Sequence, residues 1–242
     1  MWYEAVWYEA GVSDLLDAMP YLRADLTALA DTERAAQMSA YLQNRFSCFG
    51  VSTVDRRRIA RPLLHAASAS SSHELLGFAA ACWDQPEREF QYIGSDLLRR
   101  WSRNLVPEDL PTIEIFVRSK SWWDTVDQLA AWVVGPLVAE TPDLALVMDR
   151  WISDENIWIA RTALLHQLSF KEHTDVTRLF AYAEQRAADR EFFLRKAIGW
   201  ALRQYARTDA KAVRAFVARN EASLSGLTKR EALKHLGESA AE

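Results

Sequence analysis

Apolar residues recur at helical spacing, near i, i+3, i+4 and i+7, in one segment after another from residue 3 to residue 237, and this periodicity leaves little room for any strand. The spacing predicts helices over 3–18, 33–45, 54–67, 73–84, 87–104, 110–119, 122–139, 143–152, 156–168, 174–188, 191–207, 210–221 and 228–237. Composition agrees. Ala (37) and Leu (28) far outnumber Ile (8) and Val (14), and the chain of 242 residues holds only 8 Gly and 7 Pro, so helix formers dominate and both breakers and strand formers are scarce. Start signals fall at the breaks. Ser71-x-x-Glu74, Ser121-x-x-Asp124 and Thr228-x-x-Glu231 have the spacing of a capping box or its Asp variant, and Pro107, Pro111 and Pro142 mark further starts.

Short helices with tight connections, pairing at a period of roughly 35–45 residues, are the mark of HEAT-like arrays. The expected fold is therefore all-α: an α-solenoid of HEAT-like helix pairs in a single domain over 1–242, curved so that a concave face meets an extended ligand. Protein and duplex DNA both fit such a face. The repetition is one of pattern; the only literal repeat, WYEA at 2–5 and 7–10, is too short to be a structural unit.

Other classes are set aside on simple grounds. The longest apolar run, Leu129 to Ala139, has 11 residues broken by Gly135-Pro136, too short to span a bilayer, and is expected to be a buried helix end. The N-terminal stretch has acids where a signal peptide needs basic residues, which makes a cytoplasmic location the default expectation. Cys48 and Cys82, without a CxxC, are expected to be reduced core thiols. No metal site is expected from the scattered His65, His73, His166, His173 and His235, and no nucleotide-binding motif calls for a cofactor.

Charge is unevenly distributed. Residues 1–155 hold 14 basic and 23 acidic side chains, net −9, whereas 156–242 hold 15 and 10, net +5. Eight basic residues fall between Arg190 and Arg219, and Arg56-Arg57-Arg58 with Arg61 form a second cluster. Solvated helix faces account for such clusters as readily as a polyanion partner does.

Three helices carry residues with chemical potential. Trp123 and Asp127 are i and i+4, about 40° apart around a helix axis, so an indole and a carboxylate share a face, with Ser121 expected as N-cap. Arg161 sits amid apolar neighbours, and Trp200 and Arg203 are i and i+3. Taken singly, a Trp is ordinarily core, an Asp a cap and an Arg on an apolar helix ion-paired. On successive helices they compose an aromatic, cation-bearing cleft with one acid. Of the ten Trp, Trp83, Trp101, Trp132 and Trp151 are expected in the core.

Several ordered stretches make the chain recognisable: Tyr41-Leu42-Gln43-Asn44-Arg45-Phe46 leading to Phe49-Gly50-Val51, Trp83 to Gln91, Lys120 to Asp127, Asn156-Ile157-Trp158 with Arg161, Lys196 to Arg203, and Arg230 to His235. Through most of its length the sequence resembles the AlkD-like DNA alkylation repair family, the HEAT-like-repeat DNA glycosylases. The resemblance implies hydrolysis of the N-glycosidic bond of cationic N3- or N7-alkylated purines in duplex DNA without flipping the base; a monomer acting without a cofactor is the accompanying expectation. By position it implies that Asp127 is the catalytic carboxylate, that Trp123 and Trp200 face the lesion, that Arg161 and Arg203 bind phosphates, and that Tyr41 stands near the same cleft. Two positions depart from the family pattern, Cys48 in place of an aromatic and Ser169 in place of a basic residue. The alternative is a helical-repeat module that binds DNA or protein without catalysis.

Overall fold

The structure is a computed structural model that describes residues 14–236; the expected helix over 3–18 and the WYEA repeat fall largely outside these residues, as does the last residue of the helix expected at 228–237. Among the described residues the chain is all-α, and its only extended pairing is a single bridge between Ser47 and Glu87. The α-helices are α1 (Met19–Ala28), α2 (Thr32–Tyr41), α3 (Thr53–Ala66), α4 (Ser72–Asp84), α5 (Arg88–Arg100), α6 (Leu110–Arg118), α7 (Trp123–Leu129), α8 (Gly135–Glu140), α9 (Ala145–Trp151), α10 (Ile157–Leu165), α11 (Val176–Gln185), α12 (Phe192–Tyr205), α13 (Ala210–Arg219) and α14 (Gly226–Leu233). Helix α1, which begins with Pro20 in its first turn and buries Leu22 and Leu26, has no counterpart among the periodic segments. Packing divides the chain into two compact units, one ending at Lys120 and one beginning at Ser121.

In the first unit α4 and α5 pack face to face over Leu75, Phe78, Phe90, Ile93 and Leu97, all fully shielded from solvent. Burial of such side chains stabilises by about 1.5–3 kcal/mol each. Gly94 lets the helices close, since a Cβ there would stand 3.1 Å from the Cys82 Cβ. Gln91, buried between them, donates to the carbonyls of Cys82 (2.7 Å) and Gln85 (2.9 Å) and so satisfies the C-terminal end of α4. The expected capping box at the start of α4, Ser71 with Glu74, is formed in both directions.

Two charged residues of α5 are wholly buried, and each is spent on backbone. The Glu89 carboxylate accepts from the N–H groups of Phe49 (3.1 Å), Gly50 (2.9 Å) and Val51 (3.3 Å), which ties down the loop before α3. Arg88 donates to the Lys120 carbonyl (2.8 Å) and lies with its guanidinium 4.0 Å from the Phe46 ring centroid. Two of the ordered stretches in this unit, Phe46 to Val51 and Trp83 to Gln91, are thus joined by structural contacts. Trp83, 5 % exposed, donates to the carbonyls of Phe116 and Ser119 at 3.1 Å, and Trp101 donates to the Leu64 carbonyl. Cys82 is buried as expected, but Cys48 is only half-buried on the Glu89-held loop.

The second unit departs from the expected single helix over 122–139. Pro136 has no N–H to give and its ring would collide with the carbonyl four residues back, so the chain passes through a π turn at Ala130–Val134 before resuming as α8. Gly135 sits where a Cβ would stand 2.3 Å from the His166 carbonyl, so α8 and the end of α10 meet through backbone. The π turn rotates the helix face, and Trp132, expected in the core, is 43 % exposed, whereas Trp151 is buried. His166 is fully buried beside Tyr182, its Nδ1 2.7 Å from the Ala163 carbonyl, and burial lowers it to about 4, so it is neutral near pH 7.

Gly50 has φ +82°, and a Cβ would lie 2.1 Å from the Asp31 carbonyl oxygen. Gly50→Ala is therefore expected to destabilise the protein by about 2–4 kcal/mol, read as a drop in thermal midpoint with the secondary structure of the survivor unchanged.

Candidate functional site

The residues singled out on the three chemistry-bearing stretches lie on α7, α10 and α12 of the second unit, and α10 packs directly on both of the others. Helix α7 starts later than expected. Trp122 is extended (φ −157°, ψ 157°) and takes the N-cap position, so Ser121 does not cap the helix; Trp123 opens it and keeps its i, i+4 relation to Asp127. Helix α10 is capped by Asn156, whose side chain accepts from the Trp158 N–H at 2.9 Å.

Arg161 joins the three helices. Its Nε donates to Asp127 Oδ1 (2.7 Å) and its Nη2 to Oδ2 (2.8 Å), a parallel fork on α7. Its Nη1 donates to the carbonyl of Phe193 at the start of α12, and its guanidinium carbon lies 5.9 Å from the Phe193 ring centroid. Three of the five N–H groups are engaged, and the side chain is 4 % exposed against 14 % for Asp127. The expectation for Arg161 was a phosphate contact; its observed partners are a carboxylate and a carbonyl.

Burial raises the Asp127 carboxyl above the ordinary aspartate range, and the two hydrogen bonds and the charge of Arg161 oppose that rise without cancelling it. The carboxylate is desolvated and held in one orientation. One bond from Arg161 to each oxygen leaves a lone pair on each still able to accept.

Against this pair stands an aromatic cluster whose members the sequence pattern alone does not single out. Trp122, buried, lies 5.5 Å from Trp158 and 4.9 Å from Phe193 between ring centroids, and Trp158 is 4.9 Å from Phe193. Phe192, next to it, is 55 % exposed. The available signal was spacing: Trp158 is three residues before Arg161 on the same helix. Trp123 and Trp200 are both half-buried, neither sealed in the core nor fully exposed.

On α12, Arg203 donates to Glu231 Oε2 at 2.6 Å, and Lys196 reaches Oε1 of the same carboxylate at 2.7 Å. Glu231 was expected to complete a capping box with Thr228. Instead Ser225 is the N-cap of α14, with its hydroxyl accepting from the Thr228 N–H at 3.1 Å, and Glu231 is left for the cations of α12. Ser169 is half-buried, and Lys171 beside it is exposed at φ +53°.

Tyr41 belongs to the first unit, where it ends α2 with 70 % of its surface exposed. That unit also resolves the arginine cluster. Arg56 turns inward, 3.6 Å from Asp96 with its guanidinium over Tyr92, while an open groove of about 820 Å³ is lined by Arg57, Arg61, Arg99 and Arg100 together with Leu64, His65 and the same Asp96.

A family model described as "DNA alkylation repair enzyme" matches residues 22–236. Among solved structures, the chain is similar to one described as "Predicted DNA alkylation repair enzyme from Enterococcus faecalis", with 31 % identity and a TM-score of 0.80 over 87 % of this chain and 98 % of that one. It shares its fold with AlkD2 from Streptococcus mutans, at 17 % identity and a TM-score of 0.58 over 83 % of this chain and 98 % of that one. Comparison with curated proteins returned no match.

Arg161→Gln would leave the Asp127 carboxylate buried and unpaired, at a cost of about 3–5 kcal/mol near pH 7. The sign follows from the raised carboxyl: a folded-state value above the unfolded one costs stability at high pH, and the cost is relieved as pH falls through the folded value. Without Arg161 the Asp127 carboxyl loses the groups that hold it down and rises further, so the deficit of Arg161→Gln relative to the native chain is expected to shrink as pH falls from neutrality in denaturant melts. A deficit that grew on acidification would contradict the assignment.

Proposed function

Because the chain belongs to the DNA alkylation repair enzyme family, with the family model spanning nearly all of its described residues, we propose that it is a DNA glycosylase hydrolysing the N-glycosidic bond of cationic N3- or N7-alkylated purines in duplex DNA. The observation that carries the proposal is the Asp127 carboxylate, desolvated, held by a two-pronged guanidinium and one helical turn from the half-buried Trp123.

The chemistry needs no more than one carboxylate. An alkylated purine is already cationic, so it departs as a neutral base when the C1′–N bond breaks, and no general acid is required. Positive charge then grows on the deoxyribose. Asp127 stabilises that oxocarbenium and orients the water whose oxygen bonds to C1′ and whose proton is released as the product forms. Ordinary glycoside hydrolysis requires a second carboxyl because its leaving group must be protonated. The indole faces of Trp123 and Trp200 add cation–π attraction of about 0.5–2 kcal/mol each toward the charged lesion.

Arg161 acts in this scheme by holding Asp127 in register from the neighbouring helix, while Arg203, with one N–H on Glu231 and 21 % of its side chain exposed, keeps donors for a backbone phosphate. Gripping the duplex by its backbone is consistent with excision of a lesion that stays stacked, without extrusion into a pocket. The arginine-lined groove of the first unit adds further charge suited to phosphates.

A non-catalytic DNA-binding module is the second reading, and one observation favours it: both oxygens of Asp127 already accept from Arg161. Activity separates the two. The purified protein is expected to release 7-methylguanine or 3-methyladenine from methylated duplex, and Asp127→Asn to slow release by about a hundredfold or more with duplex affinity held within a few-fold. Affinity without release of either base or of a bulkier cationic adduct would sink the glycosylase reading.

Arg57→Ala combined with Arg100→Ala is expected to lower the slope of log affinity against log salt by about 0.9 for each phosphate no longer neutralised, measured on undamaged duplex. An unchanged slope would remove the groove from the DNA-binding surface.

A further inference from the structure

Glu231 stands apart from the residues assigned above: it is an acid buried among the basic residues of α12, and the proposed chemistry does not use it. Its backbone runs so close to α12 that a Cβ on Gly199 would stand 2.4 Å from the Glu231 Cβ and 3.0 Å from the Thr228 carbonyl oxygen. Gly199 is the residue immediately before Trp200. The start of α14 is secured to the same helix, since the Thr228 hydroxyl donates to the Arg195 carbonyl at 3.1 Å.

From that notch the carboxylate reaches both ways along α12. Lys196 and Arg203 are seven residues apart, about 10.5 Å along the axis, on the stripe that also carries Gly199 and Trp200. One oxygen takes Lys196 and the other takes Arg203, so neither cation can swing without breaking a charge-assisted bond. The Glu231 side chain is 11 % exposed against 39 % for Lys196 and 21 % for Arg203, which places the acid beneath the two cations. Hydrogen bonding from Lys196, with the added charge of Arg203, keeps the Glu231 carboxyl below its ordinary range and therefore ionised near neutrality.

We propose that Glu231 is a positioning residue for DNA binding: seated in the Gly199 notch, it aims Arg203 and Lys196 at the phosphates beside the site while engaging only one N–H of each. The proposal rests on the DNA-binding reading given above. Its distinguishing consequence is one of sign. As a bare negative charge near DNA, Glu231 would weaken binding, and its removal would tighten it. As an aiming device, its removal loosens binding even though the surface becomes more positive.

The experiment measures duplex affinity, its salt dependence and the KM and kcat for release of 7-methylguanine, for the native chain, Glu231→Gln, Glu231→Asp and Arg203→Ala. Glu231→Gln is expected to weaken affinity by roughly five- to tenfold and to lower the salt slope by about 0.9 for each phosphate whose cation is no longer held, with KM rising more than kcat falls. Glu231→Asp preserves the charge but is one methylene too short to span both cations; it guards against a folding defect in the Gln variant and is expected to weaken affinity in the same direction. In an Arg203→Ala background, Glu231→Gln should cost much less than it does alone, since the two act through the same phosphate.

Tighter binding by Glu231→Gln, native affinity in Glu231→Asp, or an equal cost of Glu231→Gln with and without Arg203 would each overturn the proposal while leaving the glycosylase reading intact. A native chain that neither binds duplex nor releases the base would overturn both.

Discussion

A guanidinium that gives N–H groups to helices on either side of its own cannot move without moving the neighbours, and Arg161 is in that position. Two of its bonds hold the Asp127 carboxylate and a third holds the Phe193 carbonyl, so α7, α10 and α12 share one polar joint. Taking both charges out of water is costly, and the fork geometry offsets much of that cost. What remains is a carboxylate whose direction is set by tertiary structure and whose proton affinity burial has raised. The aromatic cluster of Trp122, Trp158 and Phe193 packs beside the joint, with the Phe193 ring against the Arg161 guanidinium.

The same device recurs twice more, with different partners. Glu89 is buried and accepts from three consecutive backbone N–H groups of the loop that Gly50 turns. Glu231 is buried under two cations of α12. Each acid sits where two segments approach through backbone or glycine, at Gly50 in the first unit and at Gly199 in the second, because a side chain at either place would collide with the approaching segment. These carboxylates thus join segments, and Asp127 does so beside an aromatic cluster while remaining partly open to solvent.

Much of the architecture was legible in the periodicity. The segments at 73–84, 110–119, 156–168, 191–207 and 210–221 correspond to α4, α6, α10, α12 and α13, because each has a continuous apolar stripe that a helix can bury. The readings that failed did so where one local signal had a stronger tertiary rival. Thr228 and Glu231 have capping-box spacing, but two cations on α12 offer the carboxylate more than one backbone N–H does. Trp132 lies in an apolar run, yet Pro136 forces a π turn that rotates it outward. Ser121 precedes a helix that begins one residue too late for it to cap.

The sequence by itself determined the all-α class, the succession of helices and the placing of Trp123 with Asp127 and of Trp200 with Arg203 on common helical faces, because those relations depend only on 3.6-residue periodicity and on residues a few positions apart. Tertiary structure alone decided which charge meets which. Asp127 and Arg161 are 34 residues apart and Arg203 and Glu231 are 28 apart, and no local rule relates them. Long-range ion pairing is selected by the packing of whole helices, which sets the distance and the burial that make one carboxylate the partner of one arginine and exclude the rest.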